Sequence, residues 1–334
     1  MFSLSEHQDK FLPRVILERQ EPDTMKEINA NKATDSEDSE VFFSRLDLSY
    51  CCSLTIFQFD LSDMKFLKKL CLRGCSKLEN LPEIQDTLED LKELILDGTA
   101  IQALPSSLCR LVGLEELSLR RCFNLQIIPS SIGSLTRLCK LDLTDCTSLQ
   151  TFPSSIFNLK LKKLDLCGCS RLRTFPEITE PAHTFAHINL TCTAVKELPS
   201  SFGNLVNLRS LELQECIDLE SLPNSIVNLK LLSKLDCSGC AKLTEIPRHI
   251  GRLTSLLELS LRDSRIVNLP ESIAHLSSLK SLDLSDCKKL ECIPQIPPFL
   301  KQLVALDCPS IRRVMPNSLA VSYTHLTLPT NREV

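Results

Sequence analysis

Leu138-x-x-Leu141-x-Leu143-x-x-Cys146-x-x-Leu149-x-x-Phe152-Pro153 is the stretch on which the reading of this chain turns. Side chains alternate along an extended strand, so Leu141 and Leu143 point to one side and Asp142 to the other. The same phrase runs Leu67-x-x-Leu70-x-Leu72-x-x-Cys75-x-x-Leu78-x-x-Leu81-Pro82, and recurs from Leu208 through Cys216 to Pro223. Alignment on it gives twelve registers, starting their strands at Leu46, Leu70, Leu94, Leu117, Leu141, Leu164, Ile188, Leu211, Leu235, Leu259, Leu282 and Leu303, each 21 to 24 residues after the last. A unit that short cannot bury its own leucines. Units must stack, pairing their strands into one parallel sheet over one continuous core.

Five residues after each strand start the chain must turn inward and satisfy buried backbone groups. Cys51, Cys75, Cys122, Cys146, Cys169, Cys216, Cys240, Cys287 and Cys308 occupy that site, with Thr99, Thr193 and Ser264 in the other three registers, which are one residue shorter before the next Leu or Ile. A thiol packs as a small hydrophobe and a hydroxyl donates well, so either suits a buried turn. The second half of each unit follows Leu104-Pro105-Ser106-Ser107-Leu108 and Leu222-Pro223-Asn224-Ser225-Ile226. Proline lacks an N–H, so no further ladder strand is expected there, only extended segments with short helical or 3₁₀ turns.

Charge is nearly balanced, with 38 basic and 42 acidic side chains, so neither nucleic acid nor a membrane is an expected partner. No apolar run of about 18 residues exists to span a bilayer, and residues 1–10 have no signal-like apolar core. Seventeen cysteines without a signal fit reduced thiols in a cytoplasmic or nuclear setting. Cys237-x-x-Cys240 and Cys167-x-Cys169 imitate metal or redox pairs, but zinc needs four ligands and no second pair stands at matching spacing; both fit core and turn positions. Glu115-Glu116 and Glu89-Asp90 read as solvated rims, because no pocket is implied between them. No catalytic, metal or cofactor-binding residue is expected, and the chain does not read as an enzyme.

The period is that of leucine-rich repeats, and the expected fold is an α/β solenoid, a horseshoe with a concave parallel β-sheet. Residues 42–317 further resemble the leucine-rich-repeat region of plant intracellular immune receptors of the TIR, nucleotide-binding, leucine-rich-repeat class. The marks are the strand Leu70-Cys71-Leu72-Arg73-Gly74-Cys75, alternating with a Gly-Thr-Ala-Ile-x-x-Leu-Pro form at residues 98–105 that returns as Cys192-Thr193-Ala194-Val195-Lys196-Glu197-Leu198-Pro199. The resemblance implies recognition of a pathogen effector or guarded host protein, and contacts that hold a nucleotide-binding domain inactive. The eight glycines are isolated, so no Gly-x-x-x-x-Gly-Lys-Ser/Thr loop exists, and the chain reads as a truncated product or fragment.

Three regions are expected: a lead-in at 1–41, partly disordered, with 11–17 apolar enough to cover the first repeat; about twelve repeats at 42–317; and a non-repeat tail at 318–334 resembling translated cloning sequence. The informative surface is the inner curve: Arg45, Asp47, Lys69, Arg73, Glu93, Asp97, Glu116, Arg120, Lys140, Asp142, Lys163 and Asp165, then His187, Glu212, Lys234, Asp236, Glu258, Arg262 and Asp283. Mixed charge there suits a folded protein partner, with charge setting specificity and on-rate more than affinity. The same charges would also serve merely to keep a solenoid soluble. The competing function is a free-standing scaffold that binds small GTPases.

Overall fold

The computed structural model describes residues 16–19, 43–57 and 66–315. Strand β1 (Ile16–Arg19) opens a 13-stranded sheet and runs antiparallel to β2 (Phe43–Asp47). From there the sheet is parallel and in chain order: β3 (Lys69–Cys71), β4 (Glu93–Ile95), β5 (Glu116–Ser118), β6 (Lys140–Asp142), β7 (Lys163–Asp165), β8 (His187–Asn189), β9 (Ser210–Glu212), β10 (Lys234–Asp236), β11 (Glu258–Ser260) and β12 (Ser281–Asp283). A short β13 (Cys292–Ile293) intervenes before β14 (Gln302–Val304) closes the sheet. Leu46 pairs with Leu70, Leu70 with Leu94, and so on to Leu282 with Leu303, so the expected strand starts form one row across the sheet.

The parallel strands are short because each is ended by a left-handed residue. Tyr50, Gly74, Gly98, Arg121, Asp145, Gly168, Cys192, Glu215, Gly239, Asp263, Asp286 and Asp307, each four after its strand start, all have φ between +52° and +77°. That conformation turns the chain sideways and drops the next residue, the cysteine or hydroxyl, into the interior. Cys122, Cys146, Cys169 and Cys216 are fully buried. Their thiols, like those of Cys75, Cys240, Cys287 and Cys308, donate to the strand-end carbonyl of the preceding repeat at 3.0–3.2 Å. The thiol therefore acts as a donor between repeats as well as a small hydrophobe.

Away from the sheet, 3₁₀ turns cover the convex side, including Ser106–Arg110, Ser130–Ser134, Ser154–Asn158, Ser200–Asn204, Asn224–Asn228 and Glu271–His275, each entered from a proline. The segments Leu81-Pro82-Glu83-Ile84 and Phe175-Pro176-Glu177-Ile178 form no such turn; there the amides of Ile84 and Ile178 are capped by Ser107 and Ser201 of the next repeat, at 2.8 and 2.9 Å. Phenylalanines pack beside the second of these segments, where the ring centroid of Phe175 lies 5.3 Å from those of both Phe152 and Phe202.

One expectation needs correction. A second, minor ladder does run beside the proline turns: Ala103 bridges Ile127, Glu197 bridges Ser221, and β13 pairs with β15 (Arg313–Val314). These residues come before the proline, so their own N–H groups remain available, and proline ends the ladder without preventing it. Of the lead-in only 16–19 is described, and β1 lies along the outer edge of β2. The rest of the lead-in, where disorder is expected, and the tail at 318–334 lie outside the described residues.

Candidate protein-binding face

All nineteen residues expected on the inner curve lie in three columns on the sheet face opposite the leucines. One column precedes the strand start (Arg45, Lys69, Glu93, Glu116, Lys140, Lys163, His187, Lys234, Glu258), one follows it (Asp47, Asp142, Asp165, Glu212, Asp236, Asp283), and one lies three residues beyond (Arg73, Asp97, Arg120, Arg262). Concavity crowds the middle column. Cys71, Ile95, Ser118 and Asp236 are buried, so that column is displayed less than alternation alone suggests.

Sequence spacing missed what the middle column does. Its carboxylates and one amide bend back to accept the backbone N–H two residues on: Asp47 from Ser49 (3.0 Å), Asp142 from Thr144 (2.9 Å), Asp165 from Cys167 (3.2 Å), Asn189 from Thr191 (3.0 Å), Asp236 from Ser238 (3.1 Å) and Asp283 from Ser285 (2.9 Å). The short acceptor caps the strand just before the left-handed turn, as Asx turns do. Partial burial opposes ionisation of Asp47, but hydrogen bonds from Ser49 and Arg45 outweigh it and hold its carboxyl below 3.8. The recurring Asp one residue past the strand start was the available signal.

Across rungs, the outer columns pair with each other and, through Lys234, with the middle column. Lys69 binds Glu93, Arg73 binds Asp97 at 2.9 Å, Lys140 binds Glu116 at 3.0 Å and Lys234 binds Glu212 at 3.4 Å. Lys163 turns to Asp165 on its own strand at 2.7 Å, and Arg262 reaches Asp286 at 3.4 Å. Hydrogen bonding to Asp97 raises the Arg73 pKa, and Glu116 and Asp165 do the same for Lys140 and Lys163. The mixed signs thus reflect neighbouring repeats neutralising each other. Arg120, His187 and Glu258 enter no ion pair among the described residues. Farther along, Gln214 donates to Asp236 (2.6 Å), and Ser238 joins Asp236 (2.6 Å) to Ser260 (2.7 Å), a polar network spanning β9 to β11.

The inner-turn thiols lie beneath this face and not on it. Burial pushes those of Cys75, Cys169 and Cys216 up to about 12, so they stay protonated at neutral pH. Cys237 and Cys240 are both fully buried, Cys237 in a strand-core position and Cys240 in the inner turn. No helix among the described residues is long and apolar enough to cross a membrane.

Residues 157–255 match a family model described as "Disease resistance protein RPS4B-like, leucine-rich repeats", and residues 113–135 match "Leucine Rich Repeat". The chain is 30% identical over 173 residues, 52% of its length and 8% of the relative's, to a probable disease resistance protein of Arabidopsis thaliana. It is 34% identical over 175 residues, 52% of its length and 12% of the relative's, to the Arabidopsis protein SUPPRESSOR OF npr1-1, CONSTITUTIVE 1. The chain thus spans about a tenth of these relatives. Among solved structures, the fold is shared with Toll in the Toll–Spatzle complex of Drosophila (TM-score 0.54, 18% identity, 76% of this chain and 42% of that one). It is shared also with an internalin of Listeria monocytogenes (TM-score 0.50, 18% identity, 81% and 86%). The chain has the fold of leucine-rich-repeat proteins, and its residues 157–255 match repeats of the plant disease resistance type.

Proposed function

We propose that this chain is the protein-recognition domain of a plant immune receptor of the TIR, nucleotide-binding, leucine-rich-repeat class, working in the cytoplasm or nucleus. Its concave face engages a pathogen effector or a guarded host protein, and in the resting receptor it contacts the nucleotide-binding domain and restrains it. The match of residues 157–255 to repeats of the disease resistance type carries this reading. The face supports it with a wide polar surface whose charges are fixed by cross-rung pairs, so a partner meets a preorganised pattern.

The test is comparative capture by the chain and by a Lys69→Glu/Arg73→Glu variant from infected and healthy plant extracts, with quantitative mass spectrometry. A protein enriched only from infected tissue and lost in the variant is the expected result. Unchanged capture after reversals extended along the whole strip rejects this surface. Capture that instead depends on the nucleotide state of small GTPases replaces the reading with that of a scaffold.

A further inference from the structure

Arg137, Lys160, Lys162 and Arg209 are exposed on the edge where the strands begin, and none has an ion-pair partner among the described residues. The repeat brings them together. Ala186 donates its amide to the Lys162 carbonyl and Arg209 to that of Ala186, both at 2.8 Å, so Lys162, Ala186 and Arg209 hold one position in three consecutive repeats. Arg137 and Lys160 share another, each four residues before its strand start. Lys140 and Lys163 adjoin them on β6 and β7 but are turned to Glu116 and Asp165. Arg137 and Lys160 stand on neighbouring rungs and Lys162 and Arg209 two rungs apart, so an anion laid across the edge meets four like charges and relieves their repulsion.

We propose that this strip binds an acidic peptide segment of the protein partner, four or five residues long and crossing the strands. The inference rests on the protein-recognition reading and specifies what the partner presents. The strip spans four repeats, about 14 Å at the usual strand spacing, which an extended peptide covers in about four or five residues. Carboxylates flank it: Glu115 and Glu116 on the rung before Arg137, paired with Lys92 and Lys140, and Glu212 on the strand that Arg209 leads into. A bilayer or a nucleic acid duplex presents anions over a much longer surface and would set them against those carboxylates, on a chain of net charge −4.

The test is fluorescence anisotropy with labelled hexaglutamate and hexaglutamine peptides, using the chain, a Lys160→Glu/Lys162→Glu/Arg209→Glu variant and a control Lys77→Glu/Lys289→Glu variant, all checked for unchanged circular dichroism. Hexaglutamate should bind and hexaglutamine should not. Its affinity should fall about tenfold or more in the triple variant, change by less than about twofold in the control, and weaken as salt rises. No binding, or equal loss in both variants, overturns the strip. Tighter binding of phosphatidylserine-containing vesicles or duplex RNA, abolished by the triple variant, overturns it in favour of that ligand. The immune-receptor reading fails separately, because its capture experiment alters Lys69 and Arg73 and leaves the strip intact.

Discussion

Gly98 and Gly168 hold the same left-handed position, yet their surroundings differ. A Cβ on Gly98 would meet only the Gly74 backbone at 3.9 Å, whereas on Gly168 it would fall 2.3 Å from an Asp145 carboxylate oxygen. Gly98→Ala should therefore cost only the left-handed strain, about 1–2 kcal/mol. Gly168→Ala should cost more, because Asp145 must also move; urea unfolding of both variants gives the comparison. The thiols set a pH limit. The unfolded thiol ionises near 9.0, but burial holds Cys75, Cys169 and Cys216 protonated up to about 12. Between those values the folded chain binds more protons than the unfolded one, so the thiol contribution is complete below pH 9 and is lost as pH rises toward 12. Urea midpoints measured across that range should fall steadily.

At the scale of one strand and its turn, the middle-column aspartates join fold to face. Asp142 caps the Thr144 amide, while Asp236 also takes hydrogen bonds from Ser238 and Gln214. A net hydrogen bond is worth about 0.5–1.5 kcal/mol, so Asp142→Ala should lose about 1 kcal/mol and Asp236→Ala about 2 kcal/mol or more. Equal losses would show that the network spanning β9 to β11 adds nothing to the cap. Either variant should perturb partner binding partly through the turn that presents the neighbouring side chains, so stability and affinity must be measured together.

Across the molecule, stability is built from contacts between adjacent repeats, because sheet pairing, the thiol ladder and the leucine rows all run from one repeat to the next. Leu164 is fully buried in a central strand, and Leu164→Ala should cost about 2–5 kcal/mol by opening a cavity. The loss should uncouple the repeats on either side, which calorimetry would record as a broadened or split transition. In the unmodified chain, amide exchange should be slowest in β6 to β10, which lie farthest from both ends of the sheet, and fastest toward β1 and β14. Uniform protection along the sheet would contradict a nearest-neighbour solenoid.

The leucine pairs by themselves determined the register: alternation puts Leu141 and Leu143 on one side, a unit of some two dozen residues cannot bury them alone, and every strand start from Leu46 to Leu303 therefore joins one row. The three columns of the face followed from the same alternation. Tertiary structure alone decided how those columns are used. Whether Lys140 meets Glu116, or Asp236 meets Gln214, depends on which side chains face each other on neighbouring rungs, and whether Asp142 caps a turn depends on the left-handed residue beyond it. Spacing along one chain records neither distance nor direction between rungs, which is why the charges read as free before stacking and prove largely paired after it.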